Sequence, residues 1–357
     1  MAKKRSLTEA VSAEVKASFN LEKFKEKKLL SSNVKFKPQR WIALSEAFQE
    51  TTSIPGIPQG HIILLRGHSD TGKTTALLEA AISAQKAGVL PVFIITEMKW
   101  NWDHAMQMGL EVDHIVDEET GEILDYKGFF IYVDRETLQS IEDVSAFILD
   151  LLDEQKKGNL PYDLLFLWDS IGSVPCELSI RSNKNNNEWN AGAMSQNFGN
   201  FINQKIVLSR KQSQPYTNTM VACNKIWVAK AENIMAQPKM KNKGGDTMYF
   251  DSSLIITFGN VTNSGTNKIK ATKNGKDVEF AKRTKISCDK NHVNDVTSAG
   301  KVIMTAHGFI DDTKQAIDAY KKVYSKDWLK TLGTTDFDVV IETDEDNKDI
   351  FDASEEG

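Results

Sequence analysis

Gly67, four intervening residues (His68, Ser69, Asp70, Thr71) and then Gly72-Lys73-Thr74-Thr75 form the stretch most able to do chemistry in this chain. The spacing is that of a phosphate-binding loop, G-x-x-x-x-G-K-[ST]. Its glycines let successive backbone N–H groups turn inward, and those groups, with the N-terminus of a following helix, hold phosphate oxygens. Lys73 adds a positive charge for the β- and γ-phosphates, and the Thr74 hydroxyl is a ligand for Mg²⁺. Two carboxylates fit the same chemistry. Asp169 ends the apolar run 164–168 and is placed to hold the Mg²⁺ shell. Glu97 ends the run 90–96 and is placed as the base that orients an attacking water. The bland alternatives are a chance glycine turn and, for Glu97, a helix cap or surface carboxylate.

These groups need a frame. Ile62, Ile63, Leu64 and Leu65 form a run of strand length before the loop, and Ala76 to Ala81 read as helix after it. Runs at 90–96, 129–133, 164–168 and 219–223 predict further strands, with helices over 138–155 and 193–209. Strands alternating with helices imply a parallel sheet covered on both faces, with ligands at the carboxyl ends of the strands. Lys73, Glu97 and Asp169 all fall at such ends. From residue 253 the pattern turns β-rich, at 254–258, 268–272, 278–288 and 302–305, with Asn274-Gly275 as a turn and a helix over 313–324.

The 357 residues, 40% hydrophobic, allow a large α/β domain with appendages. No apolar run approaches the roughly 20 residues of a membrane span. The basic start lacks the apolar centre of a signal peptide. Cys176, Cys223 and Cys288 have no metal-ligand spacing and read as reduced thiols, so a cytoplasmic location is expected. The net charge of −5 hides an asymmetry. Residues 336–356 hold ten acidic side chains and one lysine, leaving the rest of the chain at +4. Residues 3–40 hold eleven basic and four acidic side chains, and Leu7, Val11, Val15 and Phe19 recur on one helical face. A basic arm with an acidic tail suggests contact with nucleic acid and a competitor for it, or simply two solvated ends.

Two long polar stretches interrupt the core. One, 181–190, carries Arg181 and Lys184 among asparagines; the other, 227–247, carries Trp227, Lys230, Lys239, Lys241 and Lys243 before Gly244-Gly245. Lysines beside aromatic rings suit a single-stranded nucleic-acid groove, with charge for phosphates and flat rings for bases. A flexible surface loop is the plainer reading.

Over roughly residues 35–312 these motifs, in order, resemble the RecA-type homologous recombinases, most closely their T4-type phage branch. The resemblance rests on Trp41-Ile42-Ala43-Leu44-Ser45, on Thr96-Glu97 with Gly109 twelve residues later, on Trp168-Asp169-Ser170, on Ala193-Met194-Ser195-Gln196, on Asn224, and on Gly244-Gly245. It implies Asn101 and His104 beside the adenine, Asn224 and Lys225 sensing the γ-phosphate, and Lys290 and His292 reaching the ATP of the next subunit. The chain departs from the family pattern at Lys225 (glutamine or histidine), His104 (an aromatic tyrosine), Asn101 (an aspartate or similar residue) and His292 (lysine or arginine).

The resemblance implies an α/β fold: a RecA-like P-loop NTPase core with a mostly parallel sheet and a β-rich C-terminal part. It divides the chain into an N-terminal helical oligomerisation arm (1–35), a core with two DNA-binding loops (36–312), and a short helix with an acidic tail (313–357). The implied activity is a DNA-dependent ATPase using ATP and Mg²⁺, filamentous on single-stranded DNA, pairing it with duplex DNA, and served by a loader or mediator and a single-strand-binding protein. Two alternatives share the core: a hexameric replicative helicase, and a mediator with a vestigial ATP site.

Overall fold

The computed structural model describes residues 35–228, 240–242, 245–261, 267–273 and 276–330, with Asn20, Lys23, Phe24 and Lys27. The expected arm helix and the acidic tail lie outside the described residues. In chain order, β1 (Trp41–Ala43), α1 (Glu46–Thr52) and β2 (Gly56–Pro58) precede β3 (Ile62–Gly67), α2 (Lys73–Lys86), β4 (Leu90–Ile95) and α3 (Trp102–Met108). A hairpin of β5 (Asp113–Val116) and β6 (Ile123–Lys127) leads to β7 (Ile131–Asp134), α4 (Ile141–Lys157), β8 (Leu164–Asp169) and α5 (Glu177–Arg181). Next come α6 (Asn187–Met194), a π-helical segment (Ser195–Ile202), α7 (Asn203–Leu208), β9 (Thr219–Val228), β10 (Met240–Asn242) and α8 (Thr247–Asp251). The chain then forms β11 (Leu254–Asn260), β12 (Lys268–Lys273), β13 (Lys276–Asn291), β14 (Ala299–Thr305), β15 (Gly308–Asp311) and α9 (Lys314–Lys330).

The fold is α/β around a large, mostly parallel central sheet in the order β15-β14-β13-β11-β3-β9-β8-β4-β7. From β11 to β7 every neighbouring pair is parallel; β13, β14 and β15 extend it antiparallel, and β10 and β12 hang from β9 and β13. The continuous apolar runs follow from burial on both faces. Ile63 and Leu65 face a core containing Ala76, Leu77, Ala80 and Phe309, while Ile62 and Leu64 face one containing Ile141, Val144, Ile148 and Phe198. The same two-residue alternation splits β8, with Leu165 and Leu167 on one side and Phe166 and Trp168 on the other.

Several expected boundaries move for local reasons. The helix expected over 138–155 starts at Ile141, because Ser140 and Asp143 form a reciprocal capping box worth about 1 kcal/mol. The hairpin β5–β6 was not expected, and β11, read as the start of the β-rich part, is a parallel member of the main sheet. The last helix reaches Lys330, and its Ile317 packs with Ile269, Ala281 and Ile303, so the core does not stop at 312. No helix among the described residues is long and apolar enough to cross a membrane.

Candidate nucleotide-binding site

The turn from β3 into α2 builds the loop. Gly72 caps the helix with φ 101°, in the left-handed region, and a Cβ there would lie 2.9 Å from the Phe309 ring. Glycine is therefore required twice over. Thr71 closes the loop by donating from its hydroxyl to the His68 carbonyl at 2.8 Å. Thr75 is buried, and Ser69 and Asp70 are exposed at the rim. Lys73 is buried and folds over the loop, donating to the Gly67 and His68 carbonyls at 3.2 and 2.5 Å. Burial pulls its pKa below the usual lysine value, against the charges of Asp169 and Glu97.

Lys73, Thr74, Glu97, Asp169 and Lys225 line one cleft with Lys99 and Trp100. The Thr74 hydroxyl donates to Asp169 Oδ2 at 2.7 Å. These are two hard oxygen donors side by side, a set that suits Mg²⁺. Burial pushes the Asp169 carboxyl up, opposed by that hydrogen bond. Glu97 lies just beyond β4, where its N–H and that of Thr96 donate to the Asp169 carbonyl. Glu97 Oε1 is 2.5 Å from Lys225 Nζ and 3.5 Å from Lys99 Nζ, and Oε2 accepts from Ser170 Oγ at 3.2 Å. Burial alone would raise the Glu97 carboxyl; Lys225, Ser170 and Lys99 together hold it below the usual range.

Residues 23–132 match the RecA N-terminal domain. Proteins named RecA are similar to the chain over part of its length. That of Kineococcus radiotolerans is 38% identical over 71 residues, covering 19% of this chain and 20% of the relative. That of Leifsonia xyli subsp. xyli is 35% identical over 80 residues, covering 22% of each. That of Pseudarthrobacter chlorophenolicus is also 35% identical over 80 residues, covering 22% of this chain and 23% of the relative. The chain thus spans about a fifth of the length of the curated relatives it matches.

This α/β frame brings some expected residues together and not others. Asn101 and His104 do not line the cleft: the Asn101 side chain is spent on capping α3, accepting from the His104 N–H at 3.0 Å. Trp100 lines the cleft, packed against Phe93, Trp102 and Tyr132. Asn224 is buried in β9, paired in register with Arg66. β13 ends at Asn291, so His292 sits in a turn, and Lys290 and His292 do not share a continuing strand face. Lys290 donates to the Tyr249 and Phe250 carbonyls. Its strand position is opposite Ile255, which pairs with Leu64, three residues or roughly 10 Å short of the chain's own Gly67.

Arg181 is exposed and paired with Glu177 at 2.5 Å. Lys184 borders a separate cleft of about 500 Å³ with Arg135, Asn183 and Asn187. The strand positions of Trp227 and Lys241 pair with one another. Gly245 has φ 91° and presses on Ala191, where a Cβ would approach to 2.7 Å. Lys230, Lys239, Lys243 and Gly244 lie outside the described residues. Sequence reasoning missed Lys99, Trp100 and Ser170. The first two are near neighbours of Glu97 in sequence, and Ser170 follows Asp169 through a cis peptide bond.

Proposed function

We propose that this chain is an ATP-dependent DNA recombinase. It binds ATP and Mg²⁺, assembles as a helical filament on single-stranded DNA, and promotes homologous pairing and strand exchange. The observation that carries the reading is the convergence of Lys73, Thr74, Asp169 and Glu97 on one cleft at the carboxyl ends of β3, β4 and β8. The loop N–H groups and Lys73 hold the phosphates. Thr74 and Asp169 hold Mg²⁺, which supplies charge neutralisation on the phosphate oxygens. Glu97 orients water for attack on the terminal phosphate. The clustered basic residues of the two polar stretches hold the DNA backbone. Lys290 and His292, set away from the chain's own loop, act on ATP bound by the next subunit, so that ATP joins subunits.

Electron microscopy with single-stranded DNA and a slowly hydrolysed ATP analogue tests this. Extended helical filaments are expected. Closed rings would favour a replicative helicase, and absence of any assembly a mediator with a vestigial site. Subunit mixing tests the shared interface. Lys290→Ala protein and Lys73→Ala protein, each without DNA-stimulated hydrolysis, should recover activity together; no recovery at any ratio with both incorporated would rule the trans arrangement out.

A further inference from the structure

We propose that Lys225 is a positioning residue that restrains Glu97, and that a terminal phosphate in the cleft releases the carboxylate by competing for the same ammonium group. The proposal rests on the nucleotide-site reading above. Its basis is that both oxygens of Glu97 are engaged, one by Lys225 at 2.5 Å with Lys99 at 3.5 Å, the other by the Ser170 hydroxyl at 3.2 Å. A carboxylate held in this way has the strongest acceptor direction of each oxygen turned to the protein rather than to a water. The pair is partly withdrawn from solvent, with the side chains 35% and 18% exposed, so it is a firmer contact than a surface ion pair.

The same lysine stands within the phosphate cradle. Lys225 pairs in register with Gly67, the first glycine of the loop, and lines the cleft with Lys73 and Thr74. Its ammonium is a point charge on a flexible four-carbon stem and can change partner without backbone movement. A terminal phosphate carries roughly −2 charge and three oxygens against one charge on Glu97, and so is the stronger competitor. When Lys225 turns to it, Glu97 keeps the Ser170 donor and the more distant Lys99, and Oε1 regains an acceptor direction for water.

The lysine is also joined directly to a polar stretch. β9 continues from Lys225 to Val228, and β10 pairs with it at Ile226, Trp227 and Val228, on either side of segment 229–239. A ligand that shifts this ribbon moves the backbone that carries Lys225. Nucleic acid bound there changes how firmly Glu97 is held.

Two measurements test the restraint. A water-soluble carbodiimide joins carboxylates to amines in direct contact, and peptide mass spectrometry then identifies the pair. A Glu97–Lys225 cross-link is expected, and it should weaken as ATPγS with Mg²⁺ binds and disappear when single-stranded DNA is added as well, with nucleotide binding followed separately by a fluorescent nucleotide. Undiminished cross-linking in protein that has bound ATPγS and single-stranded DNA overturns the restraint and leaves the nucleotide site standing; failure of the analogue to bind overturns both. Steady-state hydrolysis gives the second readout. Without DNA, Lys225→Met should raise kcat by ~10-fold or more, raise KM for ATP, and bring the ratio of DNA-stimulated to basal rate towards one. Lys225→Arg should preserve the wild-type ratio. A basal kcat that falls or stays the same in Lys225→Met would overturn the proposal.

Discussion

The two halves of the central sheet meet at β11 and do different work. The parallel half, β11 to β7, carries Gly67 and Asp169 at the ends of β3 and β8, Glu97 just beyond β4 and Lys225 within β9, the side chains and loop that face the cleft. The antiparallel half contributes no side chain to that cleft among the described residues, yet it holds the loop's backbone from behind. Thr284 of β13 donates to the Thr71 carbonyl at 2.8 Å, Lys282 to the Asp70 carbonyl at 3.1 Å, and Phe309 of β15 packs under Gly72. One half aims the chemistry and the other fixes the platform it is aimed from. Changes in the first should therefore alter rate or binding, and changes in the second should act mainly through stability.

The largest expected effect is Glu97→Gln, which should lower kcat by ~10²–10⁴-fold while leaving nucleotide binding intact. Single-turnover hydrolysis with a separate binding titration measures both, and unchanged turnover would remove Glu97 from its role. Lys73→Ala should weaken ATP affinity by roughly 10- to 100-fold, the size of one lost charged hydrogen bond, read by fluorescent-nucleotide titration.

The opposite edge of the same parallel strands gives a control. His61 precedes β3 and is buried beside Gln39, with its ring nitrogen 3.0 Å from Oε1. Burial first and the Arg210 charge second lower its pKa to about 4. A histidine held neutral in the fold contributes stability that is complete above its unfolded value near 6.5 and is lost as pH falls towards 4. Urea unfolding should show up to roughly 3 kcal/mol lost across that window, and His61→Gln should flatten it.

The smallest effect belongs to the antiparallel half. Thr284→Val should cost about 1 kcal/mol by leaving the Thr71 carbonyl without its donor, with kcat almost unchanged. A large fall in kcat at wild-type stability would erase the distinction between the halves.

The same division explains what could be read from sequence. The parallel half was legible because its signals are local: apolar runs buried on both faces, and a loop whose glycines, lysine and threonine are adjacent. The contact of Lys225 with Glu97 joins residues 128 apart, and Thr284 meets Thr71 across 213. No local pattern announces such meetings. Hairpin β5–β6 was missed because its strands are short, exposed and set in an acidic run, so neither a buried face nor a clean alternation marks them.

The position of β3 has a consequence for how the protein is made. Its neighbours are β9 and β11, so the first strand of the nucleotide site acquires its second partner only when residues 254–260 have been synthesised. At elongation rates of ~5–20 residues per second, that interval lasts roughly 10–40 s. Until residues 219–228 follow, Ile62 to Leu65 have neither partner, and from then until β11 they present an apolar edge with one side unpaired. A nascent chain stalled between β9 and β11 should be the form most readily bound by a holdase chaperone.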